Sequence, residues 1–159
     1  IKEICKKHKK VALFVDMDGT IVEYRVFPEN FVTTETKEVF LNAEPLEVIL
    51  KNLEKINEID NLDVYILSLA RSFIIVEEKK QWLKKYAPFI REENYILLNK
   101  ENGDYNAENR EFIKSIKMME KLNEYDYVIL LDDDHKILKR TLNEVGKNGE
   151  VFHVSSATM

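Results

Sequence analysis

The chain has 159 residues, 45% of them hydrophobic and 33% charged, enough for one globular domain with a buried core and too few for two comfortable ones. Its 29 acidic residues outnumber 24 basic ones, and the formal net charge of −5 argues against broad binding to a nucleic-acid backbone. A single cysteine, Cys5, three scattered histidines and no apolar stretch of bilayer length exclude an internal disulfide, a histidine-based metal site and a membrane span, and fit a soluble cytoplasmic protein.

Residues 1–10 are basic, and the cluster from Lys6 to Lys10 reads as a solvated lead-in to the first strand. Val11 to Val15 is an unbroken apolar run, the pattern of a strand buried on both faces of a parallel sheet. At its end Asp16 and Asp18 stand one residue apart, and Gly19 follows, able to turn the chain where a side chain would clash. Crowded carboxylates repel one another unless a cation or a shared proton relieves them. The pair therefore points to a metal and a reaction, against the plainer reading of Asp-Gly as a common turn.

Residues 21–44 show no clean period and predict a short flap of hairpin and loop. Its Tyr24, Arg25 and Phe27 are expected over the strand ends as substrate contacts, or else pack the flap onto the sheet. Residues 42–59 place Leu46, Ile49, Leu50, Leu53 and Ile56 at helical spacing with Pro45 in the first turn. A second strand is predicted over 63–69, then a helix capped by Ser72 and running to about residue 86 before Pro88. A third strand covers 95–98, a loop 99–106, and a helix 107–122 that would bury Phe112, Ile113, Ile116 and Met119. A fourth strand over 127–131 ends in Asp132-Asp133-Asp134; a helix over 137–145 closed by Gly146 and a fifth strand over 151–154 complete the pattern.

Strands alternating with helices predict a single α/β domain over residues 1–159: a three-layer Rossmann-like parallel sheet of about five strands, helices on both faces, and a minimal cap or none. The carboxyl ends of parallel strands share one edge, where open α/β proteins bind ligands. To that edge the chain delivers Asp16 and Asp18, Ser68, Lys100, and Asp132 with Asp133. Each alone has a plain alternative, as a surface lysine or a helix cap; independent loops would rarely place all of them on one edge.

Together these residues resemble the haloacid dehalogenase-like hydrolases, most of which are magnesium-dependent phosphatases. The match comprises Asp16-Met-Asp-Gly-Thr20, Ser68 at a strand end, Lys100, and the Ile-Leu-Leu-Asp-Asp run ending in Asp132-Asp133. Residues 78–100 also look like the same stretch of the 5'(3')-deoxyribonucleotidases, although the interval between Asp16 and Ser68 is too short for the helical cap of those enzymes. The resemblance implies a phosphomonoesterase in which Asp16 is the nucleophile and Asp18 the general acid and base. Asp16, the Asp18 carbonyl and Asp133 would hold Mg²⁺, with the register among Asp132, Asp133 and Asp134 open by one. Ser68 would donate to the phosphoryl group and Lys100 add a positive charge steadied by Asp132. Gly19, Thr20, Leu69, Arg71, Tyr24 and Arg25 complete the expected substrate contacts. The expected partner is a small phosphate ester, with a macromolecular phosphate as an alternative; no oligomer is indicated. A receiver-type phosphoacceptor domain, a metal-dependent nuclease and a non-catalytic binding module are the competing readings. A receiver domain gives the second acid of the D-x-D pair no role, and a nuclease needs neither Ser68 nor Lys100.

Overall fold

The computed structural model describes residues 1–23, 37–38 and 40–158. Five strands, β1 (Val11–Val15), β2 (Leu62–Ala70), β3 (Tyr95–Asn99), β4 (Tyr127–Asp132) and β5 (Gly149–His153), form one wholly parallel sheet in the order β3-β2-β1-β4-β5. Among the described residues five α-helices accompany them: α1 (Lys2–Lys7), α2 (Glu47–Ile56), α3 (Phe73–Tyr86), α4 (Ile113–Glu120) and α5 (His135–Val145). Among the described residues each crossover holds one such helix, and nothing is inserted as a cap domain. No helix of the described residues is long and apolar enough to cross a membrane.

The apolar run read as a doubly buried strand is the central one, and all five of its residues are buried. Alternate side chains feed two cores, as the two-residue strand period requires. Val11, Leu13 and Val15 pack with Leu53 of α2 and Trp82 and Leu83 of α3, while Ala12 and Phe14 pack with Met118 of α4 and Ile137 and Leu138 of α5. The three-layer expectation is met. The first two crossovers walk outward from β1 to β3; α4 then carries the chain back across the sheet to the other side of β1. Strand order thus reverses between β1 and β4, which opens a crevice at their carboxyl ends.

Three local differences from the sequence pattern have physical reasons. The basic stretch 1–10 contains α1, which buries Cys5. The helix expected from residue 42 begins at Glu47 because Pro45 forms an antiparallel bridge with Val22, an extended conformation that holds the chain outside the helix. The helix expected from residue 107 begins at Ile113, because Asn106 and Asn109 close local turns first: the Asn106 side chain accepts from the amides of Glu108 and Asn109, and Asn109 accepts from the Asn106 amide. Its buried face is also turned. Lys114, Ser115 and Met118 join Ile113 inside, whereas Ile116 is exposed. The caps agree with the pattern: the Ser72 hydroxyl accepts from the Ile75 amide, and Gly146 closes α5 at φ 54°.

The largest fully buried side chain, Trp82, meets Phe40 edge-on, tilts against Tyr86 and donates its indole N–H to the Ala43 carbonyl. Trp82→Ala is expected to cost about 3–5 kcal/mol in urea unfolding. A loss below about 1 kcal/mol would show that this layer does not depend on α3.

Candidate functional site

The β1–β4 pairing continues one residue past the strand end, where the Asp16 amide donates to the Leu131 carbonyl and so sets Asp16 beside Asp132. The chain then turns tightly around the Met17 carbonyl, which accepts from the amides of Thr20, Ile21 and Val22. Gly19 occupies this turn at φ +77°, and a Cβ there would run into the Asp133 carboxylate. Both the backbone conformation and the close approach require glycine. At the base of the flap, the Glu23 amide donates to the Glu44 carbonyl and the Leu46 amide to the Ile21 carbonyl. Tyr24, Arg25 and Phe27 lie outside the described residues.

Asp16 is buried. Its Oδ1 accepts from the Lys114 ammonium at 2.8 Å and its Oδ2 from the Thr20 hydroxyl at 3.3 Å. The same ammonium lies 2.6 Å from Asp132 Oδ2, so one buried lysine joins the acids of β1 and β4. Asp132 spends its other oxygen on the Asp134 amide, and Asp134 caps α5 by accepting from Lys136 and Ile137. Asp133, half-buried against Gly19, is the acid of the run that meets the carboxylates of Asp132 and Asp16 rather than an ammonium or a helix end. One carboxylate oxygen from each of Asp16, Asp132 and Asp133 falls within 4.8 Å of the others. Three carboxylates around one ammonium carry surplus negative charge, and an all-oxygen donor set suits a hard cation such as Mg²⁺. Burial pushes the Asp16 carboxyl up to about 7 against the pull of Lys114. Burial and the neighbouring Asp132 charge also raise Asp133. Burial alone would lower Lys114, but the two carboxylates outweigh it and raise it.

A second buried lysine, Lys79 of α3, reaches the other side of the site. Its ammonium donates to Asp18 Oδ2 at 2.9 Å, to Ser68 Oγ at 2.8 Å and to the Leu69 carbonyl at 2.9 Å. The structure thus brings Asp16, Asp18, Gly19, Thr20, Ser68, Leu69, Asp132 and Asp133 together at one edge. Asp16, Asp18, Leu69, Lys114, Asp132 and Asp133, with Arg110, line a cavity of about 340 Å³.

Lys100 is a correction. It was expected against Asp132, but Lys114 makes that ion pair, while Lys100 is exposed in a neighbouring concavity with Arg71, Tyr105 and Arg110. The reason is distance along the sheet: β3 and β4 stand three strand positions apart, roughly 14 Å at about 4.8 Å per strand. A residue leaving β3 cannot serve the end of β4; one on the first turn of the helix that crosses back over the sheet can. That topological argument, applied to 113–120, is the signal that would have nominated Lys114. Lys79 had no comparable signal, since it sits in a run of polar residues, Glu77-Glu-Lys-Lys-Gln81.

No family model matches the chain, and no curated protein is similar to it. Solved structures are: the HAD domain of the effector protein Lem4 from Legionella pneumophila is 13% identical, with 91% of this chain and 86% of that one covered at a TM-score of 0.55. An inactive mutant of the same domain is 12% identical, with 91% and 84% covered at a TM-score of 0.57. The chain has the fold of a HAD domain.

Two outcomes test the site as a cation centre. Asp16 holds its proton more tightly folded than in the unfolded chain, where the ordinary value is 3.8. Its ionisation between about 4 and 7 therefore works against folding, so stability from this group is present at low pH and lost as pH rises through about 7. A divalent cation should reverse that loss, and Mg²⁺ should raise Tm more at about pH 8 than at about pH 5; an equal shift at both would remove Asp16 from the cation site. Asp133→Ala should abolish the Mg²⁺-dependent shift without lowering the metal-free Tm. Asp134→Ala should cost about 1 kcal/mol as a lost helix cap and keep the shift, and the opposite pattern in calorimetry would exchange the two residues.

Proposed function

We propose that this chain is a Mg²⁺-dependent phosphomonoester hydrolase of the haloacid dehalogenase-like type, with Asp16 as its nucleophile. The observation that supports this most is the position of Asp16: it is buried at the switch point of the sheet, with Oδ1 held by Lys114 at 2.8 Å and Oδ2 accepting a longer hydrogen bond, 3.3 Å, from Thr20. A carboxylate so fixed presents Oδ2 for attack on phosphorus.

In the first step Asp16 Oδ2 bonds to phosphorus and the bond to the alcohol oxygen breaks, while Asp18 gives that oxygen a proton. In the second step water attacks phosphorus, Asp18 takes its proton, and phosphate departs from the regenerated Asp16. Asp18 is suited to this exchange because its side chain is half-exposed at the cavity while Asp16 is enclosed. The Ser68 hydroxyl and the Lys114 ammonium would meet the phosphoryl oxygens. Mg²⁺, held by Asp16, Asp133 and the Asp18 carbonyl, would neutralise charge on the transferred group. Small phosphate esters are the expected substrates. Nucleoside monophosphates are one class among them, on the likeness of residues 78–100 to deoxyribonucleotidases, although Lys100, at the end of that stretch, does not make the expected ion pair.

The test is hydrolysis of nitrophenyl phosphate and of an alkyl phosphate with Mg²⁺. Asp16→Asn should abolish turnover on both and leave no acyl-phosphate on the protein. Asp18→Asn should slow the alkyl ester about 100-fold or more and the nitrophenyl ester far less, since a good leaving group needs little protonation. Full activity after exhaustive chelation, or turnover by Asp16→Asn, would refute the proposal.

A further inference from the structure

Lys79 is 1% exposed, yet the chemistry above gives it no step. A buried ammonium is costly unless all its protons are used. Here all three are, on Asp18 Oδ2, Ser68 Oγ and the Leu69 carbonyl, with the Phe40 ring 5.0 Å away on a further side. An ammonium can only donate. Ser68 Oγ is therefore the acceptor in its bond with Lys79, and the hydroxyl proton is directed to another partner. Among the described residues Asp18 is likewise held by one oxygen, Oδ2, which leaves Oδ1 for a ligand in the cavity it lines.

We infer that Lys79 is a positioning residue, which aims the Ser68 hydroxyl and the free oxygen of Asp18 at one and the same phosphoryl group. With its donors committed, it does not touch the substrate itself. The neighbouring residue ties Glu38 and Phe40 to the same helix. Glu78 is buried and accepts from the amides of Glu38 and Phe40 at 2.9 and 3.0 Å, although Glu38 has φ 60°, a conformation that disfavours a side chain. One turn of α3 thus both orders the acid and seats Phe40 beside the ammonium. The inference rests on the phosphatase reading.

The experiment compares the full chain with its Lys79→Met variant, in Mg²⁺, on nitrophenyl phosphate and an alkyl phosphate, with Asp16→Asn as the blank. Loss of positioning should lower kcat about 100-fold on the alkyl ester and about 10-fold on the nitrophenyl ester, because only the former relies heavily on Asp18. Adding Ser68→Ala to Lys79→Met should cost little more than the larger single loss. Equal losses on the two esters, or losses that multiply in the double variant, would leave Lys79 a packing residue and overturn the inference while the phosphatase stands. If circular dichroism shows that Lys79→Met does not fold, the cycle of Asp18→Asn and Ser68→Ala with Lys79 intact decides instead: non-multiplying losses support the coupling, and fully multiplying ones overturn it. A wild-type chain inert on both esters would overturn the phosphatase reading and this inference with it.

Discussion

The buried triad of Asp16, Lys114 and Asp132 is the interaction on which the rest of the arrangement depends. Taking such charges out of water costs several kcal/mol per ion, and only close geometry with further hydrogen bonds compensates. Both conditions hold, at 2.8 and 2.6 Å, with the Thr20 hydroxyl and the Asp134 amide on the remaining oxygens. The cost has a structural return. One ammonium pins the strand ends on the two sides of the switch point, and to do so α4 must turn Lys114 inward and leave Ile116 in solvent. Packing here is subordinate to electrostatics.

That order of precedence explains what the sequence made legible. Apolar runs, helix caps and the Asp-x-Asp-Gly turn are local signals, and they located the strands, the Ser72 and Gly146 caps and the acids of β1 and β4. Lys114 was hidden because a helical period assigns lysine to the polar face, and nothing local says that two carboxylates wait beneath it. Lys79 was hidden for the same reason. Lys100 was attractive because it follows a strand directly, but linear proximity to a strand end says nothing of which strand lies beside which. The one reversal in strand order determines that, and it is a property of the whole sheet.

The two lysines divide the edge between them. Lys114 approaches with α4 on one face and serves Asp16 and Asp132; Lys79 approaches with α3 on the other and serves Asp18 and Ser68. In a continued strand Asp16 and Asp18 would share a face; the tight turn around the Met17 carbonyl breaks that period just past β1, and each acid receives a cation from its own layer. The three-layer architecture is thus the reason one Asp-x-Asp pair can hold two chemically different carboxylates, one enclosed and one open to the cavity.

Gly19 gives this arrangement a history as well as a shape. Every amino-acid replacement reachable from a glycine codon by one base change brings a Cβ, and here that atom would strike the carboxylate of Asp133, a residue more than a hundred positions away in the chain. A substitution at position 19 must displace that carboxylate and also accept a positive φ, so a smaller residue at 133 would relieve only one of the two constraints and would give up an acid in doing so.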